Sequence, residues 1–234
     1  MRARWTLPCL ALAAACVSSH TQPAPAPLGG LRANEAVTVL LHHYEEGEGE
    51  ATGAVSSAEA AEIEARLGQC VSDALGECAP GARVIATAEF AREVFPNVPP
   101  ERVPRSPESL LDLASNPEFR ARAAALGLRY LVIATGATQM PHTGGIACFG
   151  GYGGAACLGL VIWHRDSQLA AVVLDLASEQ LLQGPEAEAS GHAWFAALGI
   201  FPLGMPPGFT RARACSGFGR AVAEALATGA PPAP

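Results

Sequence analysis

The chain has no lysine: every one of its 15 basic residues is an arginine. That absence removes a phosphate-loop lysine, a Schiff base and a lysine general base from the chemistry open to it. Charge of either sign is scarce, at 16% of residues, and the balance is acidic, net −7 with a pI near 5.4. An acidic chain has no electrostatic footprint for nucleic acid or for anionic membrane surfaces. There is no G-x-S-x-G for a serine hydrolase and no paired C-x-x-C for structural zinc. Gly151 to Ala156 matches G-x-G-x-x-A in form. It leads into an apolar run of strand character, whereas a dinucleotide site needs a helix there. What is present is ample apolar material, half of 234 residues, enough for one domain with its own core.

The amino terminus has the three parts of a secretory signal. Arg2 and Arg4 are followed by the apolar Trp5 to Leu12 and then by Ala13, Ala14 and Ala15. The apolar part is too short to span a bilayer. Cys16 comes next. Leu12-Ala13-Ala14-Ala15-Cys16 resembles the lipobox of bacterial lipoproteins, departing from it in having alanine at position 13 where leucine is usual. The resemblance implies removal of residues 1–15 and acylation of Cys16, hence anchoring to a membrane by more than one acyl chain. Val17 and Ser18 lack the aspartate signal that holds such proteins in the inner membrane, so it also implies the outer membrane, facing the periplasm. The alternative is an ordinary secreted protein cut near Ala15. Residues 16–34 carry Pro23, Pro25 and Pro27 alternating with alanine and are expected to form an extended tether.

Residues 35–227 read as a single α/β domain, a mixed sheet of about five strands with helices on both faces. Ala36–Leu41, Arg83–Ala86 and Tyr130–Thr135 are apolar strand candidates, and unbroken apolar runs imply strands covered on both sides. Leu158–His164 and Leu169–Leu176 are expected to form a hairpin about a polar turn at Arg165–Gln168. Glu45–Ala54 reads as an acidic loop and Glu186–Ser190 as a further strand. Helices are predicted from Ser56 to near Gly76, from Thr87 through Phe95, from Pro107 through Ala114, from Pro117 through Leu126 and from Thr210 to about Ala227. Ser56 with Glu59 forms a capping box, and Ser106-Pro107 and Asn116-Pro117 are cap-then-proline starts. Residues 228–234 are expected to be a disordered tail.

This order of elements resembles the amino-terminal domain of TolB and the related curli-export lipoprotein. The likeness is carried by Ala36–Leu41, Leu126–Thr135 and Val172–Leu176. It implies an assembly or accessory role in the envelope, not catalysis.

Five cysteines fall in the domain, and an oxidising compartment makes disulfides their expected state. Cys148 and Cys157 flank a glycine-rich stretch short enough to bridge, worth about 2.7 kcal/mol from chain entropy. Cys70 and Cys215 sit on apolar helix faces and pair if both helices cover one side of the sheet, worth about 5 kcal/mol. Cys70–Cys78 is the rival pairing. A metal at Cys148 and Cys157 with His142 or His164 fits no tight ligand spacing, and no metal or cofactor is expected. Phe149 and Tyr152 in the bridged glycine loop are the candidate partner-contact residues, since exposed aromatics anchor interfaces. The expected function is that of an envelope lipoprotein, a structural, assembly or accessory module acting by protein or cell-wall contacts, with an envelope protein as partner. Two rivals stand beside it: a periplasmic hydrolase-like enzyme using His164 and Asp175 near the glycine loop, and a small-ligand or metal-binding module. A pocket gathering His, Asp and Cys would favour the enzyme; an exposed apolar patch would favour the contact module.

Overall fold

The computed structural model describes residues 18–25, 28–48, 51–151, 154–199, 201–205 and 210–227. Residues 1–15, read as a signal peptide, Cys16, Tyr152 and residues 228–234, read as a tail, lie outside the described residues.

The centre of the molecule is a sheet of parallel strands. β2 (Ala36–Glu48) runs parallel to β5 (Leu128–Gln139) and to the short β4 (Arg83–Ile85). Both β2 and β5 are buried on two faces, which is why they read as unbroken apolar runs. Val37, Val39, Tyr130 and Val132 pack on one side, beneath α1 (Ser57–Cys78) and α5 (Thr210–Ala227). Leu40, Leu131 and Ile133 pack on the other, beneath α2 (Thr87–Val94), α3 (Pro107–Ala114) and α4 (Pro117–Ala125). The expected α/β class, with a mixed sheet between two helical layers, is what the chain adopts.

Local signals set the helix starts. Ser56 Oγ accepts from the Glu59 amide at 3.3 Å, Ser106 Oγ from Ser109 at 3.3 Å and Asn116 Oδ1 from Glu118 at 2.8 Å. These bonds satisfy amides that have no partner within the first turn. Gly127, at φ 69°, closes α4 in the left-handed region that favours glycine.

The open edge of β2 between its neighbours is closed by side chains. β4 ends opposite Thr38, and β3 (Ala51–Ala54) pairs only from Glu45 onward. In the gap Thr87 Oγ1 donates to the Val39 carbonyl at 3.0 Å, and Glu64 of α1 accepts from the Leu41 amide at 2.7 Å. Buried backbone groups are thereby paired without a strand.

Several expectations need correction. Among the described residues the sheet has nine strands, in the order β1-β8-β7-β5-β2-β3 with β4, β6 and β9 attached, where about five were expected. The acidic stretch read as a loop is the end of β2 and the start of β3, an antiparallel pair. α1 passes Gly76 and ends at Cys78, since nothing there demands a positive φ. The segment read as a tether contributes β1 (Ser18–Gln22), antiparallel on β8 (Gln180–Gly199), and sets Leu28 and Leu31 into the core. The Leu31 amide donates to the Leu226 carbonyl at 2.8 Å, tying that segment to α5.

The largest correction concerns Arg165–Gln168. No turn forms there: β7 runs unbroken from Gly154 to Asp175. Its polar middle is satisfied by distant partners. Ser167 is 3.0 Å from Thr138, which is 2.6 Å from the Tyr44 hydroxyl, all three buried. Arg165 and Arg211 both reach the Glu46 carboxylate. Polar side chains with such partners are admitted to the interior.

Candidate functional site

β7 and β8 outrun the helical layers. Their far halves join β6 (His142–Gly151) and β9 (Phe201–Met205) in a four-stranded antiparallel arm ordered β6-β7-β8-β9. Neither hydrophobic core contains a described residue of 142–164 or 191–205. The glycine stretch read as a loop is therefore strand pairing: β6 and β7 are in register from His142 opposite Trp163 to Gly151 opposite Gly154. Glycine is required within it. A Cβ on Gly159 would overlap the Gly145 carbonyl, and Gly144 holds φ 98°.

Cys148 and Cys157 are direct cross-strand partners and form a disulfide, their α-carbons 4.0 Å apart. Cys70 and Cys215 form the second bridge, joining α1 to α5. Cys78, from the rival pairing, is a free exposed thiol. With both sulfurs of the arm in a bridge, the metal reading at Cys148 and Cys157 loses its thiolate donors. Among the described residues no group of three or more His, Cys, Asp or Glu side chains is placed to hold a metal.

Register assigns the faces of the arm, because directly opposed residues share a face and alternate residues along a strand do too. Leu158, Leu160 and Ile162 of β7 share one face with Trp194, which opposes Ile162, and with Phe149, which opposes Ala156. Phe149 is 68% exposed, Leu158 62%, Leu160 46% and Trp194 38%. Toward the domain the same face carries His164 and His192, opposed across the strands with ring centroids 3.8 Å apart.

The enzyme reading required His164 near Asp175. Both lie on β7, and at roughly 3.3 Å per residue they are roughly 35 Å apart. Asp175 is occupied at the far end, accepting from Arg129 at 3.0 Å and from the Ala177 amide at 2.8 Å. Two open grooves flank α1, of about 350 and 400 Å³. The first runs beside Tyr44, Arg211 and the Cys70–Cys215 bridge. The second has Glu64 and Arg105 in its wall, 3.4 Å apart. Burial raises the Glu64 carboxyl above the ordinary value, opposed by the Leu41 amide, by Arg105 and by Thr87. This carboxyl serves the sheet edge. It faces no histidine or cysteine across the groove walls described.

Sequence reasoning found Phe149 and the arm disulfide but missed Leu158, Leu160 and Trp194. One signal marks them. No Asp, Glu or Arg occurs from Tyr130 through His164 or from Ala189 through Thr210, stretches that supply the whole arm. Apart from residues 5–31, no other stretch of comparable length lacks charge, and two that meet in one arm mark a surface not built for water alone.

No family model and no curated protein matches the chain. Among solved structures it is similar to a point variant of the PelC dodecamer from Paraburkholderia phytofirmans, with 10% identity over 90% of this chain and 98% of that one, at a TM-score of 0.35. A second PelC dodecamer from the same organism gives 11% identity over 90% and 97%, at 0.32. A putative neuraminyllactose-binding hemagglutinin homolog from Helicobacter pylori gives 9% over 85% and 87%, at 0.26. Likenesses at these scores carry no inference about this chain. Among the described residues no helix is long and apolar enough to cross a membrane.

Proposed function

We propose that this protein is a cell-envelope lipoprotein, anchored through Cys16, that acts by contact, as a structural or accessory module, with the arm as its contact element. The observation that carries the proposal is the arm itself. Two charge-free stretches, separated in sequence by residues 165–188, fold onto each other and hold Phe149, Leu158, Leu160 and Trp194 in the open. Burying such side chains is worth roughly 1.5–3 kcal/mol each, so leaving them exposed is costly unless something covers them. Two disulfides support an oxidising compartment. The layout similar to the TolB amino-terminal domain belongs to the same proposal, as does the outer-membrane location.

Two measurements test it. Labelled palmitate should enter the wild-type protein and not the Cys16→Ser variant; a free mature amino terminus beginning elsewhere than Cys16 refutes the anchoring. A photo-crosslinker placed at Phe149 in intact cells should give adducts that the same group at Arg92, exposed on α2, does not. Equal yields from the two sites refute the arm as contact element.

A further inference from the structure

Resting on that contact reading, we propose that what covers the apolar face of the arm is a lipid surface. The side chains of that face toward the tip would reach the acyl region, while the strand backbones and the base of the arm stay at headgroup level.

Three observations converge on lipid. The first is the order of side chains along the face. From the domain outward come His164 with His192, then Ile162 with Trp194, then Leu160, then Leu158, and Phe149 near the tip. That is a gradient from polar through an amphipathic aromatic to purely apolar, and tryptophan is favoured at the boundary between headgroups and hydrocarbon. The second is charge. A protein interface of ordinary kind has a polar rim with hydrogen-bonding and charged groups around its apolar centre. The strands of this arm supply no Asp, Glu or Arg for such a rim, whereas hydrocarbon asks for none.

The third is the direction of the chain. β1 is antiparallel to β8, with Ser18 opposite Ser190 and Gln22 opposite Glu186. β8 runs onward from Ser190 into the arm, so the polypeptide enters β1 from the arm's side. Cys16 stands two residues before Ser18 in the sequence. An anchor that precedes Ser18 in sequence is therefore fed to the sheet from the side that carries the arm. Anchor and arm then address one membrane from one end of the sheet.

The sheet also limits how deep the arm goes. β6 and β9 are the outer strands, and their far edges pair with no strand among the described residues. Open sheet edges do not occur in lipid-exposed hydrocarbon. A single copy is therefore seated by one face and does not span.

The test uses the full mature chain as Cys16→Ser, so that no acyl group contributes, with phosphatidylcholine vesicles. Once the leader is removed the tryptophans are Trp163 and Trp194, both in the arm, so intrinsic emission reports the arm alone. The expected result is a blue shift of that emission and co-flotation with the vesicles. Because the face is uncharged, flotation should be unchanged in 0.5 M salt, a concentration at which the screening length falls to about 4 Å. Leu158→Ser with Leu160→Ser should weaken vesicle binding at least about tenfold, and Phe149→Ser alone should weaken it less. Both variants are checked for intact disulfides and an unchanged far-ultraviolet spectrum.

Absence of flotation by folded protein, with Phe149 crosslinks to protein still forming in cells, overturns the lipid assignment and leaves the contact reading standing. Absence of both overturns both. Lipid-free self-association abolished by the leucine variant assigns the face to a second copy and overturns the proposal. Flotation confined to anionic vesicles overturns it too. Release of trapped dye overturns the one-face seating in favour of a spanning assembly.

Discussion

Removing the Cys70–Cys215 bridge should cost the protein more than any other single covalent change, and the amount depends on where the two cysteines lie. They are 145 residues apart in sequence, whereas Cys148 and Cys157 are separated by 9. A cross-link restricts the unfolded chain in proportion to the logarithm of the loop it closes. That gives about 5 kcal/mol for the long loop and about 2.7 kcal/mol for the short one at 25 °C. The bridge also joins α1 to α5, the two helices that cover one of the two cores. For a domain of this size, 5 kcal/mol corresponds to a fall in thermal midpoint of roughly 10–20 °C. The experiment compares Cys70→Ala/Cys215→Ala with Cys148→Ala/Cys157→Ala, both in a Cys78→Ser background so that the exposed thiol cannot exchange. Urea unfolding at 25 °C supplies the free energies. The slope of the transition should steepen more for the long-loop variant, because its unfolded chain exposes more surface. A graded reductant should open the arm bridge first, since Cys148 is exposed and Cys215 is 8% exposed. If the long-loop variant loses no more stability than the short-loop variant, the account is wrong.

Two further outcomes can be measured on the same footing. Glu64 holds its proton to higher pH in the folded protein than in the unfolded chain, where the ordinary value is 4.5. Between those values the folded state binds more protons, so stability falls as pH rises through that window and returns on acidification. Glu64→Gln keeps an acceptor for the Leu41 amide and should flatten that dependence. Glu64→Ala orphans the amide and should cost about 1–3 kcal/mol at every pH. Parallel pH profiles for wild type and Glu64→Gln would contradict the assignment. Gly219 of α5 is where that helix meets α1: a Cβ there would overlap the Cys70 carbonyl. Gly219→Ala should therefore destabilise by about 1–3 kcal/mol from overpacking, despite the roughly 1 kcal/mol that alanine gains in an open helix. A rise in thermal midpoint would show that the two backbones are not in contact.

The elements that were legible in the sequence are those whose causes are local. Ser56, Ser106 and Asn116 announce their helices because a cap and the amides it serves lie within three residues. β2 and β5 were visible because burial on two faces leaves a run of apolar residues with no polar interruption. What was hidden depends on partners far along the chain. Arg165 to Gln168 has the composition of a turn, and only Thr138, Tyr44 and Glu46 make it the middle of a strand. Ser18–Gln22 has no apolar alternation, being exposed at every position. It becomes a strand by pairing its backbone with β8. The glycine-rich composition of residues 144–159 signals flexibility, yet at Gly144 and Gly159 the facing backbone comes so close that a Cβ would overlap it. The candidate site was half visible. Phe149 and the two cysteines drew attention by residue type, whereas Leu158, Leu160 and Trp194 are ordinary core residues until the topology carries them past the helices.

β7 and β8 each belong to the domain and to the arm, with no loop or hinge between the two parts. This has a mechanical consequence. A load applied at the tip cannot be taken up by rotation about a flexible joint, so it is passed along two covalently continuous strands and across the ladder that joins them. The point of greatest bending moment falls where the helical layers stop. There Glu46 of β2 bridges Arg165 of β7 and Arg211 of α5, a brace across three elements at the fulcrum. Whatever the tip touches is thereby rigidly oriented with respect to β2, β5 and the helices, and a change of angle at one end must appear as strain at the other.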